Sequence, residues 1–250
     1  MPKISALIIT LDEAKNIASV IENITFADEI IVVDSFSEDN TVKIAKSYPN
    51  VTVYQNTFID FTSQRNFALG KANHEWILFL DADERVTEPL KNEILNTIKK
   101  KQTADAYFFY RKFMFKGKPL HFSGWQTDKN IRLFKKSKAQ YTEERLVHEV
   151  LKVKGSKSSM KSKLIHYSYS SYDSYKKKMV NYARLKAKEL LQKGIKPNAF
   201  HFIIKPTFKF FYDYIIRLGF LDGRKGIIIC YLNALSVYKR YPILKEISKN

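Results

Sequence analysis

The chain has 250 residues, 45% of them hydrophobic, which is ample for a core and suits one catalytic domain with a C-terminal extension. Its one cysteine, Cys230, excludes an internal disulfide and fits a reducing cytosol; no signal peptide precedes the first strand, so a cytoplasmic location is expected. The formal net charge of +18 is local, because residues 151–250 carry 22 Lys and Arg against 5 Asp and Glu, whereas residues 1–150 carry 21 against 20.

From the N-terminus, Ile4 to Thr10 (ISALIIT) reads as a buried strand running into Asp12, placed to cap a helix in which Ile17, Val20, Ile21 and Ile24 recur at helical spacing. Glu29 to Asp34 (EIIVVD) predicts a second strand ending in a carboxylate. The polar loop Ser35 to Asn40 and a short helix through Lys46 follow, then a third strand at Val51 to Tyr54 and a helix at Ser63 to Ala72. The unbroken apolar run Trp76 to Leu80 predicts a strand buried on both faces. It stops at Asp81 and Asp83, which flank the small Ala82 and precede the helix start Thr87-Glu88-Pro89. This strand and helix alternation predicts an α/β fold with a mostly parallel sheet flanked by helices.

Two acids at a strand's carboxyl end suit chemistry, since ligands of open α/β sheets sit there, and paired carboxylates can share a hard divalent cation and hand it to a diphosphate. The plainer reading is a solvated turn after a core strand; the run of strand, acids and helix start favours the ligand. No G-x-G-x-x-G follows the first strand, and no G-x-x-x-x-G-K-[ST] occurs, so the phosphate-binding signatures of dinucleotide and P-loop folds are missing.

Four blocks in order, ALIITLDEAKNI, EIIVVDSFSEDNT, FTSQRNFAL and WILFLDADERV, joined later by Asp128 to Phe134 (DKNIRLF) and Val147-His148-Glu149, resemble the GT-A type family 2 glycosyltransferases. The likeness is greatest to the WaaE-like lipopolysaccharide core enzymes, described as β-1,4-glucosyltransferase-like. Two departures stand out: Phe36 and Asn40 occupy positions that are usually glycine, and Trp125 to Asp128 only loosely follows the family's aromatic stretch. The resemblance implies a GT-A nucleotide-diphospho-sugar transferase fold and an inverting transfer from a nucleotide-sugar donor, first UDP-glucose, to a lipid-linked or lipopolysaccharide glycan. It implies Mg²⁺ or Mn²⁺ as cofactor, with Asp83 a direct ligand, Asp81 on the ribose or in the metal shell, Asp34 on the uracil or ribose, and Arg65 on the nucleotide. Thr10, Asp12 and Glu13 lie at the donor mouth, with Asp12 open between cap and ligand. An inverting transfer also needs a base to take the acceptor's proton. Glu149 is the first candidate and Asp128 the second, while His148 completes the metal shell, orients the diphosphate or is structural. His74, His121, His166 and His201 have no metal-ligand spacing and are read as structural.

The expected division is 1–166 for the catalytic domain, with 1–105 binding the nucleotide sugar and 106–166, including the aromatic strand Tyr107 to Phe115, building the acceptor side. Residues 167–250 form a basic helical extension. Within it, Phe208 to Leu221 reads as an amphipathic helix, and after the turn-like Gly219 to Gly226 a second apolar stretch, Ile227 to Tyr238, is too short for the ~20 residues of a membrane span. An in-plane hairpin on an anionic bilayer, peripheral on the inner face of the cytoplasmic membrane, is one expectation; packing on the catalytic domain or in a homo-oligomer is the other. Two further classes compete. A sugar nucleotidyltransferase needs a Gly-rich basic loop where Leu11 to Asn16 stands. A nucleic-acid-binding protein fits the basic charge, but no nucleic acid is expected, because the charge adjoins apolar helices rather than interleaved aromatics.

Overall fold

Apolar runs give the central strands their places. In the computed structural model, which describes residues 2–142, 150–169 and 171–248, β1 (Ile4–Thr10), β2 (Glu29–Asp34), β3 (Val51–Gln55) and β4 (Trp76–Asp81) pair in parallel in the order β3-β2-β1-β4. Ile8 and Val32 pack with Leu78 and Leu80 in one core, while Leu7, Ile31, Ile77 and Phe79 join another, so consecutive side chains serve opposite faces. Burial on both sides explains why these strands lack polar alternation. Helices α1 (Ile17–Asn23) and α2 (Thr41–Lys46) supply the first core, and α3 (Phe61–Lys71) supplies the second.

After β4 the hand of pairing changes. A short β5 (Glu84–Val86) and α4 (Glu88–Ile98) lead to β6 (Ala106–Phe115), and β7 (Lys129–Lys135) pairs antiparallel with both β4 and β6. The sheet is therefore mixed, parallel across the strands read as alternating with helices and antiparallel where Lys129–Lys135 meets β4 and β6, while Lys157–Ser159 adds a parallel pairing to β6. Two helix starts follow side-chain chemistry. Asp60 Oδ1 accepts from the Ser63 backbone N–H at 2.7 Å and starts α3 two residues earlier than the sequence suggests. Thr87 Oγ1 accepts from the Leu90 N–H at 3.3 Å, with Pro89 in the first turn; such a cap contributes about 1 kcal/mol.

The chain divides into two compact units, Met1–Arg111 with Lys129–His166, and Lys112–Asp128 with Tyr167–Asn250. Residues 112–128, assigned from sequence to the acceptor half of the first domain, thus group with the C-terminal residues. In the second unit α5 (Tyr172–Gln192), capped by Ser171 and Ser174 in a reciprocal box, packs along α7 (Gly223–Ile247). Between them lie π-helical turns at Phe200–Ile204 and Tyr212–Ile216, separated by α6 (Lys205–Phe211). The second apolar stretch is part of α7, which begins inside the expected turn at Gly223. Its Ile229, Leu232, Val237, Tyr241 and Leu244 are buried against α5 and its neighbours, so one face of this arm packs within the unit, while Ile227, Tyr231 and Tyr238 stand exposed on the other. Burial pushes the Cys230 thiol up to about 11, which keeps it an inert core residue. Among the described residues no helix is long and apolar enough to cross a membrane.

Candidate active site at the carboxyl edge of the sheet

Register brings the predicted acids to one edge. Thr10 pairs with Asp34, Asp34 with Gln55 and Ile9 with Asp81, so the ends of β1, β2, β3 and β4 open on the same side of the sheet. Thr10 is buried there, and its Oγ1 has no hydrogen-bond partner among the described residues.

Asp34 is fully buried and engaged. Its carboxylate accepts from the Ser37 hydroxyl and from the Ser37 N–H at 2.9 Å, with Gln55 Nε2 at 3.5 Å, and so folds the loop after β2 back over the strand end. Asp12 does not cap α1, whose N-terminus at Asn16 has no side-chain cap. It sits instead in the left-handed region, φ 54°, where its N–H donates to Ser37 Oγ and its Oδ1 accepts from the Glu38 N–H, both at 2.9 Å. The loops after β1 and β2 are thereby laced together, a job that needs a short carboxylate tolerant of positive φ. Glu13 stands beside them, its N–H on Thr41 Oγ1 at 2.8 Å; burial, then the negative charges of Asp83 and Asp39, raise its carboxyl above the ordinary value despite the Asn16 donor.

The two acids of the D-x-D have different partners. Asp81 Oδ1 accepts from Arg65 Nη2 at 2.8 Å and Oδ2 from Arg132. Arg132, buried, also donates to Glu84 Oε1 at 2.8 Å, and Arg111 Nη1 lies 3.6 Å from the same oxygen. Glu84 Oε2 accepts the Asp81 N–H at 3.2 Å, closing the network at the strand end. Burial would raise the Asp81 carboxyl, but the charges of Arg132 and Arg65 outweigh it and hold it well below the usual carboxylate range. Arg65 also lies over Phe79, 4.7 Å from the ring centroid, and over Tyr141 at 5.5 Å, so the side chain read as a nucleotide contact is gripped from two sides by its own domain.

Asp83 is outside that network. Its Oδ2 is 3.1 Å from His166 Nε2, brought there because β8 (Leu164–Tyr169) pairs antiparallel with β5, His166 opposite Glu84. A carboxylate oxygen and an imidazole nitrogen are both ligands that Mn²⁺ accepts, and Mg²⁺ accepts the oxygen. Among the described residues no three such side chains converge. An oxygen donor and a nitrogen donor side by side at the strand edge fit such a cation.

Of the other expected site residues, Asp128 follows the 3₁₀ turn Trp125–Thr127 in the second unit and is half-buried. His148 and Glu149 lie outside the described residues. Sequence reading missed Glu84, Arg111, Arg132 and His166. Arg132 was inside the recognised DKNIRLF block, but its partner Asp81 is 51 residues away, and His166 meets Asp83 across 83 residues, separations at which no spacing rule operates.

Comparison with known proteins follows this geometry. The model described as glycosyl transferase family 2 matches residues 5–153. An uncharacterized glycosyltransferase of Rickettsia bellii (strain RML369-C) is 30% identical, with 98% of this chain and 87% of that protein covered. The lipopolysaccharide core biosynthesis glycosyltransferase LpsC of Rhizobium meliloti (strain 1021) is 25% identical over 97% of this chain and 95% of its own length. Among solved structures, the mannosyltransferase PcManGT of Pyrobaculum calidifontis, in complex with GDP-Man and Mn²⁺, matches with a TM-score of 0.55 at 14% identity, covering 99% of this chain and 75% of that one. TarS 1-349 of S. aureus in complex with UDP matches at 0.51 and 16% identity, covering 99% and 91%. These two likenesses fix the GT-A fold.

Proposed function

This chain belongs to glycosyl transferase family 2, and on that premise we propose that it is an inverting, cation-dependent hexosyltransferase that moves a sugar, first glucose from UDP-glucose, to a glycan of the lipopolysaccharide core. The observation that carries the reading is the split of the D-x-D, with Asp81 neutralised by Arg65 and Arg132 while Asp83, among the described residues, has an imidazole, His166, as its side-chain partner and no guanidinium. An acid already balanced by two arginines serves to hold the edge, and the other is left to attract positive charge. LpsC supports the acceptor class. The lips of the site argue against a nucleotidyltransferase, because the turn at Leu11 to Asn16 is tied down by the carboxylates of Asp12 and Asp39 rather than by basic or glycine-rich phosphate contacts.

In the reaction, the acceptor hydroxyl attacks the anomeric carbon from the side opposite the diphosphate, and charge develops on the leaving group. Bound Mg²⁺ or Mn²⁺ would supply Lewis-acid stabilisation of that charge. Asp83 and His166 would hold the cation, and the laced loops of Asp12 and Asp34 would hold the nucleotide end of the donor. Glu149 takes the acceptor proton as general base, with Asp128 next in line. The enzyme works at the inner face of the cytoplasmic membrane, where such acceptors are built.

A panel of nucleotide sugars with Mn²⁺ or Mg²⁺, scored by slow release of free nucleoside diphosphate, tests the donor. Calorimetry with UDP and Mn²⁺ beside transfer rates tests the roles: Glu149→Gln should spare nucleotide binding and lower transfer on the order of 10²- to 10⁴-fold, the usual worth of a general base. Full activity in EDTA, or a Glu149→Gln enzyme with unchanged rate, refutes the corresponding assignment.

A further inference from the structure

Residues 200–221 are built inside out for a water-facing segment. Ile204, Phe208, Phe211 and Ile215 recur at helical spacing and all stand in solvent, with Ile203, Phe208 and Ile216 exposed by 62%, 67% and 65%. The opposite face carries the polar anchor. Asp213 is 1% exposed, accepting from Lys209 Nζ at 2.8 Å and from Asn233 Nδ2 at 2.9 Å, and Asn233 in turn accepts from the Tyr175 hydroxyl at 2.5 Å. A helix that buries its aspartate and shows its phenylalanines is partnered by something apolar on the outside.

Charge identifies the partner. Asp213 is the one acid within 200–221, and it is buried and paired; Lys205, Lys209 and Arg217 share the segment, and Arg224 and Lys225 follow it. An apolar face rimmed by cations complements the apolar interior and anionic headgroups of a bilayer, whereas apposing two copies of a chain of net charge +18 through this face would bring like charges together. We propose that residues 200–221 form the docking face of this enzyme for an anionic phospholipid surface, lying in the plane of the interface with Phe208 and Ile216 among the acyl chains. This rests on the membrane-side reading of the function and narrows it to one segment, leaving the buried apolar residues of α7 out of the contact.

The test uses the full-length protein and vesicles of phosphatidylcholine with phosphatidylglycerol, against vesicles of phosphatidylcholine alone. Wild type should co-sediment with the anionic vesicles and less with the neutral ones, and added salt should weaken binding without abolishing it, since apolar burial is not screened. The double variant F208D/I216D should lose at least on the order of 10-fold in affinity per residue, while F208L/I216L keeps wild-type binding. Near-ultraviolet circular dichroism and nucleoside diphosphate release without membranes should be unchanged in both. As a readout independent of any disruption, the fluorescence of F208W should be quenched by lipids brominated along their acyl chains. Equal binding by F208D/I216D and wild type, or an unquenched F208W, overturns the proposal. So does a wild-type dimer that ignores vesicles and that F208D/I216D converts to monomer, which would assign the face to self-association. Absence of diphosphate release from every nucleotide sugar would instead sink the enzymatic reading while vesicle binding is still scored.

Discussion

At the sheet edge of the first unit, Asp34, Glu84, Arg65 and Arg132 are withdrawn from water, whereas along residues 200–221 of the second unit Phe208, Ile203 and Ile216 stand in it. Both depart from the ordinary partition of side chains, and they differ in where the compensation comes from. The buried charges are balanced inside the chain, each carboxylate meeting a guanidinium or a hydroxyl within the same unit. Among the described residues, the exposed apolar side chains have no such counterpart along their outer face. The comparison teaches that a burial anomaly settled internally marks a positioned site, and one left open marks a surface awaiting a partner.

The largest effect should come from the acid that the network leaves aside. Asp83→Asn removes the charge facing His166 and should lower transfer on the order of 10³-fold or more while the thermal transition stays put, because Asp83 takes no part in the ion-pair cluster. Mn²⁺ titration in the presence of UDP should show the same loss. A variant with wild-type turnover would end the division of labour between the two acids. Next in size, Arg132→Met leaves the buried Glu84 and the half-buried Asp81 each short of a partner and should cost about 3 to 5 kcal/mol, read from denaturant unfolding. A loss under about 1 kcal/mol would mean that Arg65 and Arg111 suffice.

A pH series sharpens the same point. The folded Asp81 carboxyl lies below its unfolded value near 3.8, so its contribution is complete above that pH and is lost as pH falls through the acidic range below it. Asp81→Asn should therefore be less stable than wild type at neutral pH, and the gap should close as pH drops below about 4. A gap that is constant with pH would show that the arginines do not act through charge. Smaller again, Thr87→Ala should cost about 1 kcal/mol through loss of the α4 cap and leave turnover intact. The smallest shift belongs to the exposed face: Phe208→Asp should change stability by no more than about 0.5 kcal/mol, as surface substitutions do. A large destabilisation there would place Phe208 in the core and remove the contrast between the two units.

What could be read beforehand was set by local pattern. β1, β2 and β4 were legible because their apolar runs end at Thr10, Asp34 and Asp81, and a parallel sheet turns those ends into a common edge. The amphipathic segment around Phe208 was legible because helical periodicity is a property of neighbours in sequence. The fate of Ile227 to Tyr238 was not: an apolar stretch of that length suits a bilayer or a core equally, and only α5 lying along it made it core. For Asp12 the sequence leaves cap and ligand open, because a carboxylate before a helical pattern suits either, and hydrogen bonds to Ser37 and Glu38 draw it into a left-handed turn instead of a cap.

By itself, the sequence determined the order of the first four strands and their helices, the two acids at the end of β4 and the segregation of charge into the C-terminal residues, all of which depend on adjacency along the chain. Tertiary structure alone decided that Asp81 belongs to Arg65 and Arg132, that Asp83 meets His166, and that the carboxylate of Asp213 faces inward while Phe208 faces out. The physical reason is that charge pairing and burial act through space at a few ångströms. Strand pairing brings together residues that no periodicity of the sequence connects.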